Sequence, residues 1–391
     1  MPIVVLKELF VAPKCLYRGS AVGREHADVT SEHAGREAHM SAEEPLALDT
    51  PIPTPHGWST MADLKIGDYV FSRDGEPVLV WGVAPIKHGR PCYRVTFDDG
   101  DSLVTDATHH WWAFDRKSKQ RWAEWTTDQM ATANWYSGLR FAVPRPEPLQ
   151  CGPAHLPLDP YVMGMWLGDG DSRVATLTVG RDDFDETLRN LEEAGMTTSV
   201  YDYGEDRGAV QIRFNHGQRY GKQGTSQHAL RALGVLGNKH VPDLYLWASQ
   251  EQRLELLRGL MDSDGYVNER GNCTFTSSSR ALVDAVEHLA RSMGWRAATG
   301  AWQSDERWKN RAAGTWRVSF TPSGDVPFKL KRKSSRCRTL RSESSRAITS
   351  IEPVDSVPVR CIAVDSDDHL FLAGRSMLPT HNTHVLASNL E

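Results

Sequence analysis

A tripeptide near the C-terminal end of the sequence, His381-Asn382-Thr383, carries side chains that can cut and rejoin a polypeptide. The Asn382 side-chain nitrogen can attack its own backbone carbonyl to form a succinimide, which cleaves the chain after that residue, and His381 can protonate the departing amine. The Thr383 hydroxyl can hold an acyl group as an ester, because Ser, Cys and Thr form such covalent intermediates. Alone, the tripeptide is more typical of a polar turn.

Two carboxylates elsewhere, Asp169 and Asp264, suit a different reaction. They lie near the ends of two similar stretches, 161–171 and 256–266, which are apolar, contain a small residue for close packing and include Asp-Gly. If both stretches form helices that pack side by side, the two carboxylates meet and repel each other unless a cation lies between them. Mg²⁺ binds through one or two carboxylates, and such a metal can assist phosphodiester cleavage.

The surroundings of these stretches also repeat, which indicates an internal duplication. In each copy the pattern predicts a strand, an amphipathic helix and two further strands. The predicted elements are 175–179, 182–194, 198–203 and 209–214 in the first copy, and 272–276, 280–293, 297–302 and 316–321 in the second. We therefore expect an α+β domain with pseudo-twofold symmetry.

A β-rich pattern lies on both sides of this duplication. Strand-like pieces separated by Gly and Asp turns run through 45–75, and the segment 100–112 continues the pattern. The pattern returns at 347–354 and continues to the tripeptide described above. The residues suited to acyl chemistry thus lie in two β-rich segments that flank the duplicated domain.

The β-rich segments resemble an intein, the element that excises itself by protein splicing. The resemblance rests on the ending 359–383, the Thr-Pro-His-Gly-Trp turn at 54–58 and the histidine-containing segment 100–112. It implies the β-rich, horseshoe-like Hint (hedgehog/intein) splicing domain of that family, split in sequence and closed by pairing of its two halves.

Three residues that are far apart in the sequence indicate which class of intein the chain resembles. Trp111, Cys361 and Thr383 match the Trp, Cys and Thr set of class 3 inteins, which lack a nucleophile at their first residue and are often found in bacteriophage proteins. Pro45 stands at that first position and has no nucleophile. Taken singly, a Trp between strands is usually part of a core and a buried Cys is usually inert.

The resemblance implies roles at the upstream junction, between Glu44 and Pro45. Cys361 would attack the Glu44 carbonyl as a thiolate, and His109 would protonate the departing nitrogen of Pro45. Asp106 would help to orient His109.

At the downstream junction, between Asn382 and Thr383, the resemblance implies that Thr383 receives the acyl group. Asn382 would then cyclise with help from His381, and His369 is a further candidate proton donor. Trp111 would pack over the attacking cysteine and limit water, since hydrolysis of the thioester aborts splicing. No cofactor is expected for splicing.

The duplicated domain resembles the LAGLIDADG homing endonucleases. The resemblance puts Asp169 and Asp264 in the place of metal ligands for Mg²⁺ or a similar divalent cation, and it implies double-stranded DNA as the partner. Lys239 resembles a basic residue that assists the attacking water; the alternative is a solvated loop lysine. Whether the domain still cuts DNA stays open.

A basic run closes the duplicated domain. It is either a phosphate-contacting patch or a solvated linker. Its members are Lys329, Lys331, Arg332, Lys333, Arg336, Arg338, Arg341 and Arg346.

These patterns predict five segments. Residues 1–44 form an upstream flanking (extein) segment and 45–147 the first half of the splicing domain. Residues 148–335 form the endonuclease insert, 336–382 a basic linker with the second half of the splicing domain, and 383–391 a downstream extein segment. The host protein's exteins are thus partners in cis.

The composition limits the class of protein. A chain of 391 residues is long enough for two or three domains, and a formal net charge of -5 argues against nucleic-acid or membrane binding driven by bulk charge. Six cysteines without metal or disulfide spacing fit a reducing cytosol. We expect a monomer without membrane contact in the cytoplasm of a bacterial host cell, encoded by a phage.

Two other interpretations stay open. The chain could be a stand-alone DNA endonuclease, or a β-rich binding module that neither splices nor cuts. Only splicing requires the terminal tripeptide.

Overall fold

The computed structural model describes residues 44–117, 121–133, 135, 138–204, 207–215, 225–304, 314–339 and 345–382. The predicted extein segments, apart from Glu44, lie outside the described residues, as do Thr383 and Arg341. Within these ranges, no helix has the length and apolar character needed to cross a bilayer.

The elements fall into three successive groups. The first contains β1 (Leu46–Ala47), β2 (Pro51–Thr54), β3 (Gly57–Thr60), β4 (Tyr69–Phe71), β5 (Pro77–Val83), β6 (Cys92–Phe97), β7 (Ser102–Asp106), β8 (His110–Asp115), β9 (Arg121–Thr126), α1 (Thr127–Thr132) and β10 (Phe141–Val143). The second contains α2 (Pro160–Asp169), β11 (Thr176–Gly180), α3 (Phe184–Glu193), β12 (Thr197–Tyr201), β13 (Ala209–Asn215), α4 (Ser226–Ala232), α5 (Asp243–Leu246), α6 (Gln250–Asp264), β14 (Gly265–Val267), β15 (Cys273–Ser277), α7 (Arg280–Ser292), β16 (Arg296–Ser304), β17 (Gly314–Thr321) and α8 (Lys331–Ser334). The third contains β18 (Arg346–Val354), β19 (Val359–Arg360), β20 (Ile362–Val364), β21 (Leu370–Ala373) and β22 (Leu378–His381).

The first and third groups form one β-rich domain. Its main sheet has the strand order β19-β1-β7-β6-β18-β10-β8-β9, so strands from the end of the chain pair with strands from its beginning. β18 lies between β6 and β10, and β20 pairs with β5. The predicted closure of a split β-domain by its two halves is confirmed.

The second group is a duplicated insert. The sheet β11-β13-β12 repeats as β15-β17-β16, with β14 added at the edge, and α3 and α7 occupy the same place in each copy. The predicted order of elements is confirmed. One detail differs: residues 181–183 form a 3-10 turn, so α3 begins at Phe184 rather than at 182. The predicted architecture, a β-rich domain split in sequence around an inserted α+β domain with pseudo-twofold symmetry, is confirmed.

α2 and α6 pack against each other at the centre of the insert. α2 begins where the Asp159 carboxylate accepts from the Val162 N–H, and α6 begins with a capping box between Ser249 and Gln252. The helices differ in length, with 10 residues in α2 and 15 in α6, but each ends at one of the two predicted carboxylates. Because the two helices cross at small residues, their last residues come together.

Glycine permits this close approach. A Cβ added to Gly259 would lie 2.1 Å from the Tyr161 carbonyl oxygen, and one added to Gly164 would lie 2.3 Å from the Leu256 carbonyl oxygen. Both contacts are with backbone, which cannot move aside as a flexible side chain can.

We expect Gly259→Ala to lower the free energy of unfolding of the insert by about 1–3 kcal/mol, because the helices must separate to admit the methyl group. Gly180→Ala is the matched control, since a Cβ there meets no atom within 4 Å. Thermal or denaturant unfolding of both variants measures the difference. Equal stability of the two variants would contradict the packing described.

A buried carboxylate joins the insert to the β-rich domain. Asp99, in the turn between β6 and β7, accepts from Arg346 and from the Ser376 hydroxyl, and lies 3.5 Å from Arg291 of α7. Burial alone would raise the pKa of Asp99, but the Arg346 charge, the Ser376 hydrogen bond and Arg291 together lower it. Asp99 is therefore ionised between the two domains, where two arginines neutralise its charge.

Aromatic rings form a second contact between the domains. Trp58 of β3 packs edge-on to Trp247 and His288 of the insert, with ring centroids 5.7 and 5.9 Å away. Burial lowers the pKa of His288 to about 3, so this histidine stays neutral at neutral pH. The two domains thus share a packed interface and are not joined by linkers alone.

Candidate functional site

The predicted upstream junction, between Glu44 and Pro45, lies where β1 enters the main sheet. β1 pairs antiparallel with β19, and Leu46 is opposite Arg360. Continued by one residue, this register puts Pro45 opposite Cys361, so their Cα atoms are expected to be roughly 5 Å apart. The Asp106 N–H donates to the Pro45 carbonyl at 3.1 Å and holds Pro45 in place. Cys361 itself is buried.

His109 contacts the carbonyl that would be attacked. Its ring is fully buried, with Nδ1 2.9 Å from the Glu44 carbonyl oxygen and Nε2 2.5 Å from the Thr380 hydroxyl. Burial lowers the pKa of His109 to about 4, so the ring is neutral at pH 7. Because a carbonyl oxygen only accepts hydrogen bonds, Nδ1 carries the proton and donates to it. His109 thus contacts the carbonyl oxygen of the Glu44–Pro45 peptide bond.

The Glu44 carboxylate contacts histidines from both junction segments. Its Oε1 lies 2.8 Å from His110 Nδ1, and its Oε2 lies 3.8 Å from His381 Nδ1. The hydrogen bond to Glu44 raises the pKa of His110. Sequence reasoning gave His110 no role, because a partner 66 residues away leaves no local signal.

Trp111 packs against the same histidine. Its ring centroid lies 5.0 Å from that of His109 and 5.9 Å from that of Phe97, and its Nε1 donates to the Thr127 hydroxyl at 3.0 Å. The indole is fully buried and therefore excludes water from one side of His109. Its packing over Cys361 stays a prediction.

Asp106 lies beside the junction, but its carboxylate faces another way. It accepts from Arg90 Nε at 2.7 Å and from the Thr108 hydroxyl at 2.7 Å, while its backbone oxygen accepts from the His109 N–H. Burial alone would raise the pKa of Asp106, but the Arg90 and Thr108 hydrogen bonds outweigh it and lower the pKa. The described link to His109 is therefore through the backbone.

The downstream residues follow the β21–β22 hairpin. The Asn382 N–H donates to the His369 carbonyl at 2.8 Å, and Asn382 Nδ2 donates to the Val364 carbonyl at 3.0 Å. His369 has a φ of 55°, which is uncommon for a residue other than glycine. His381 and Asn382 are both buried. The Asn382 carboxamide is thus held in a buried site beside strand β20.

Asp169 and Asp264 are brought together as predicted, since they are the last residues of the packed helices α2 and α6. Burial and the charge of Asp264 raise the pKa of Asp169 to about 6, and burial raises the pKa of Asp264. Among the described residues, no group of three or more His, Cys, Asp or Glu residues is arranged so that it could hold a metal ion. Two adjacent carboxylates fit a cation that keeps several waters, such as Mg²⁺.

Lys239 lies at the same place and is not a solvated loop lysine. Its Nζ donates to the Gly168 and Gly170 carbonyls at 3.1 and 2.7 Å and lies 5.2 Å from the Trp166 ring. Burial lowers the pKa of Lys239, although both carboxylates oppose this shift. The solvated alternative is wrong because the ammonium group satisfies the carbonyls at the end of α2.

Lys333 is the equivalent residue at the end of α6. Its buried Nζ donates to the Met261, Asp262 and Ser263 carbonyls at 2.9, 2.6 and 3.2 Å. For this residue the solvated-linker alternative is wrong. A signal was present in the sequence: Asp264 follows Asp169 by 95 residues, and Lys333 follows Lys239 by 94.

Comparison with known proteins agrees with this architecture. Residues 251–314 match the LAGLIDADG-like domain family. The chain therefore combines a split β-rich domain with an insert that is similar, over these residues, to the LAGLIDADG-like domain.

The chain is 35% identical over 372 residues to the replicative DNA helicase DnaB of Mycobacterium intracellulare, a match that covers 86% of this chain and 58% of that protein. It is 26% identical over 161 residues to the homothallic switching endonuclease of Saccharomyces cerevisiae, covering 35% of this chain and 27% of that protein. A crystal structure of the MchDnaB-1 intein matches with 17% identity and a TM-score of 0.31, covering 86% of this chain and 99% of that one. The chain thus spans little more than half of its mycobacterial relative.

Proposed function

We propose that the chain is a class 3 intein: residues 45–382 excise themselves, and Glu44 becomes joined to Thr383. The observation that carries the proposal is the hydrogen bond from His109 Nδ1 to the Glu44 carbonyl oxygen, at 2.9 Å in a buried site. A donor aimed at that oxygen stabilises the negative charge that develops there when a nucleophile attacks. The register of β1 and β19 supports Cys361 as the nucleophile.

In the first step the Cys361 sulfur bonds to the Glu44 carbonyl carbon, and the bond from that carbon to the Pro45 nitrogen breaks. His109 would relay the proton lost by the thiol to the Pro45 nitrogen, so the ring is neutral before and after the step. The product is a thioester, which the buried Trp111 helps to protect from water.

In the later steps the Thr383 hydroxyl attacks the thioester, which restores the Cys361 thiol and forms an ester. The Asn382 nitrogen then attacks its own carbonyl carbon, the bond to Thr383 breaks, and His381 or His369 supplies the proton to the new amine. That amine attacks the ester, so the acyl group moves from oxygen to nitrogen and a peptide bond joins Glu44 to Thr383.

As a second function, we propose that the insert, within the predicted boundaries 148–335, is a homing endonuclease. The family match and the endonuclease relative support this. Double-stranded DNA would be the substrate, and Asp169 and Asp264 would hold a divalent cation, for which Mg²⁺ is our proposal. When bound, the cation supplies charge stabilisation to the reacting phosphate. Lys239 and Lys333 would fix the two helix ends and add positive charge beside them.

We also propose the setting of this activity. The mycobacterial relative suggests a replicative helicase as the host protein, with exteins upstream of 45 and downstream of 382. The duplicated insert supplies both halves of its site from one chain, which fits a monomer. The proposed location is the cytoplasm of a bacterial cell, with a phage as the source of the gene.

The products test this proposal. Splicing should release residues 45–382, which is 338 residues, and join the flanks into a 53-residue product. Mass spectrometry after incubation with a reductant should find both masses. A stand-alone endonuclease or a binding module would leave the chain intact, and a cleaved chain with other masses would refute the junctions.

A further inference from the structure

Thr380 joins the two junctions through one hydrogen bond. It belongs to β22, two residues before Asn382, yet its hydroxyl lies 2.5 Å from Nε2 of the upstream His109. Both residues are fully buried. The proposed steps of splicing do not use this hydroxyl.

The contact of His109 Nδ1 determines whether the Thr380 hydroxyl donates or accepts its hydrogen bond to Nε2. Nδ1 faces the Glu44 carbonyl oxygen, which has no proton to give, so Nδ1 must carry the hydrogen. A neutral imidazole then has its bare nitrogen at Nε2. The Thr380 hydroxyl satisfies that nitrogen by donating to it, and the two hydrogen bonds together select one tautomer and one ring orientation.

We propose that Thr380 is a positioning residue for the upstream step: its hydroxyl holds His109 in the Nδ1–H tautomer, with that N–H aimed at the Glu44 carbonyl. The inference rests on the proposed splicing function. It has a consequence for the order of events. Because β22 also carries the downstream residues, the upstream carbonyl is activated only when the downstream strand is seated.

The test compares two substitutions of this residue. Thr380→Val keeps the shape but removes the hydroxyl, so it should slow formation of the upstream thioester by about tenfold to a hundredfold, as loss of a group that orients a functional histidine does. Thr380→Ser restores the hydroxyl and should recover the rate to within about threefold. The rate is measured as thiol-induced cleavage between residues 44 and 45 in a chain that carries both Thr383→Ala and Asn382→Ala, in which the thioester is trapped.

Two controls separate positioning from general damage. Thr54→Val removes another hydrogen-bonding hydroxyl of the same domain, one that donates to the Gly57 carbonyl at 2.7 Å and has no described contact with His109. It should leave the thioester rate unchanged. Downstream cleavage after Asn382, followed in a Cys361→Ala chain, should change by less than about threefold in Thr380→Val, because the fold of β22 is retained.

A spectroscopic measurement applies even if Thr380→Val fails to fold. In a chain with Cys361→Ala and Asn382→Ala, ¹⁵N-labelled histidine spectra should show His109 as the neutral Nδ1–H tautomer at pH 7, with His109→Gln used for assignment. The Nε2–H tautomer or an imidazolium would overturn the inference. So would a Thr380→Val chain that folds and forms the thioester at the parent rate.

Failure of the inference differs from failure of the proposed function. If the parent chain forms neither a thiol-sensitive junction nor the two product masses, splicing itself is refuted. If the parent chain splices and Thr380→Val splices equally fast, only the role of Thr380 is refuted.

Discussion

Replacing Cys361 with Ala is expected to abolish cleavage at the upstream junction by thiols or hydroxylamine. Pro45 has no side chain that can hold an acyl group, so no other residue at that bond can replace the thiol. Thr383→Ala should retain the cleavage as a trapped thioester, and Asn382→Ala should accumulate the branched ester. Thiols split thioesters readily and leave oxygen esters largely intact, so the reagent identifies each intermediate on a gel or by mass.

Cys92→Ala is the matched control for this experiment. Cys92 is also buried in the main sheet, but its sulfur contacts the Arg90 carbonyl rather than the junction. The Cys92→Ala chain should be cleaved at the upstream junction at the same rate as the parent chain. Upstream cleavage at an undiminished rate in Cys361→Ala would refute the proposed mechanism, and Cys361 would then be only a packed core thiol.

The second large effect is expected in the insert. Asp169→Asn or Asp264→Asn should abolish metal-dependent DNA cleavage, because each substitution removes one of the two negative charges that would hold and position the cation. Splicing should be unchanged in both variants, since the two carboxylates lie at the helix ends and make no described contact with the junctions. DNA carrying an uninterrupted insertion site is the substrate, and nicking and linearisation are measured.

The affinity of the proposed site for its cation should change with pH in one direction. The pKa of Asp169 is raised to about 6, and the cation requires the ionised carboxylate. Cation affinity should therefore fall as the pH drops through about 6 and level off above it. Asp185→Asn changes an exposed carboxylate of α3 and serves as the control.

Loss of splicing in folded Asp169→Asn would contradict the independence of the two sites.

The insert shows which features local patterns predict. The strand predicted at 209–214 is β13, Ala209–Asn215, and the helix predicted at 280–293 is α7, Arg280–Ser292. Hydrophobic period and turn residues are properties of neighbouring positions, and the duplication repeats them, so each copy supports the other. Asp169 and Asp264 could be paired from sequence for the same reason.

The junction contacts could not be predicted in this way. His109 meets residues that are 65 and 271 positions away, and these meetings depend on how β1, β8 and β22 are placed in the fold. No local pattern encodes such a register. The resemblance to inteins identified His109 but gave no information about Thr380, because the hydrogen bond becomes visible only once the strands are placed.

The buried cluster at Asp99 bears on how such chains can evolve. A descendant that lost the insert would keep Arg346, which begins β18, but would lose Arg291, which belongs to α7. The carboxylate would then face water on the side that α7 now covers. Genetic loss of the insert is therefore not a neutral deletion. The shortened gene would be under selection for compensating substitutions around the β6–β7 turn before it could be inherited stably.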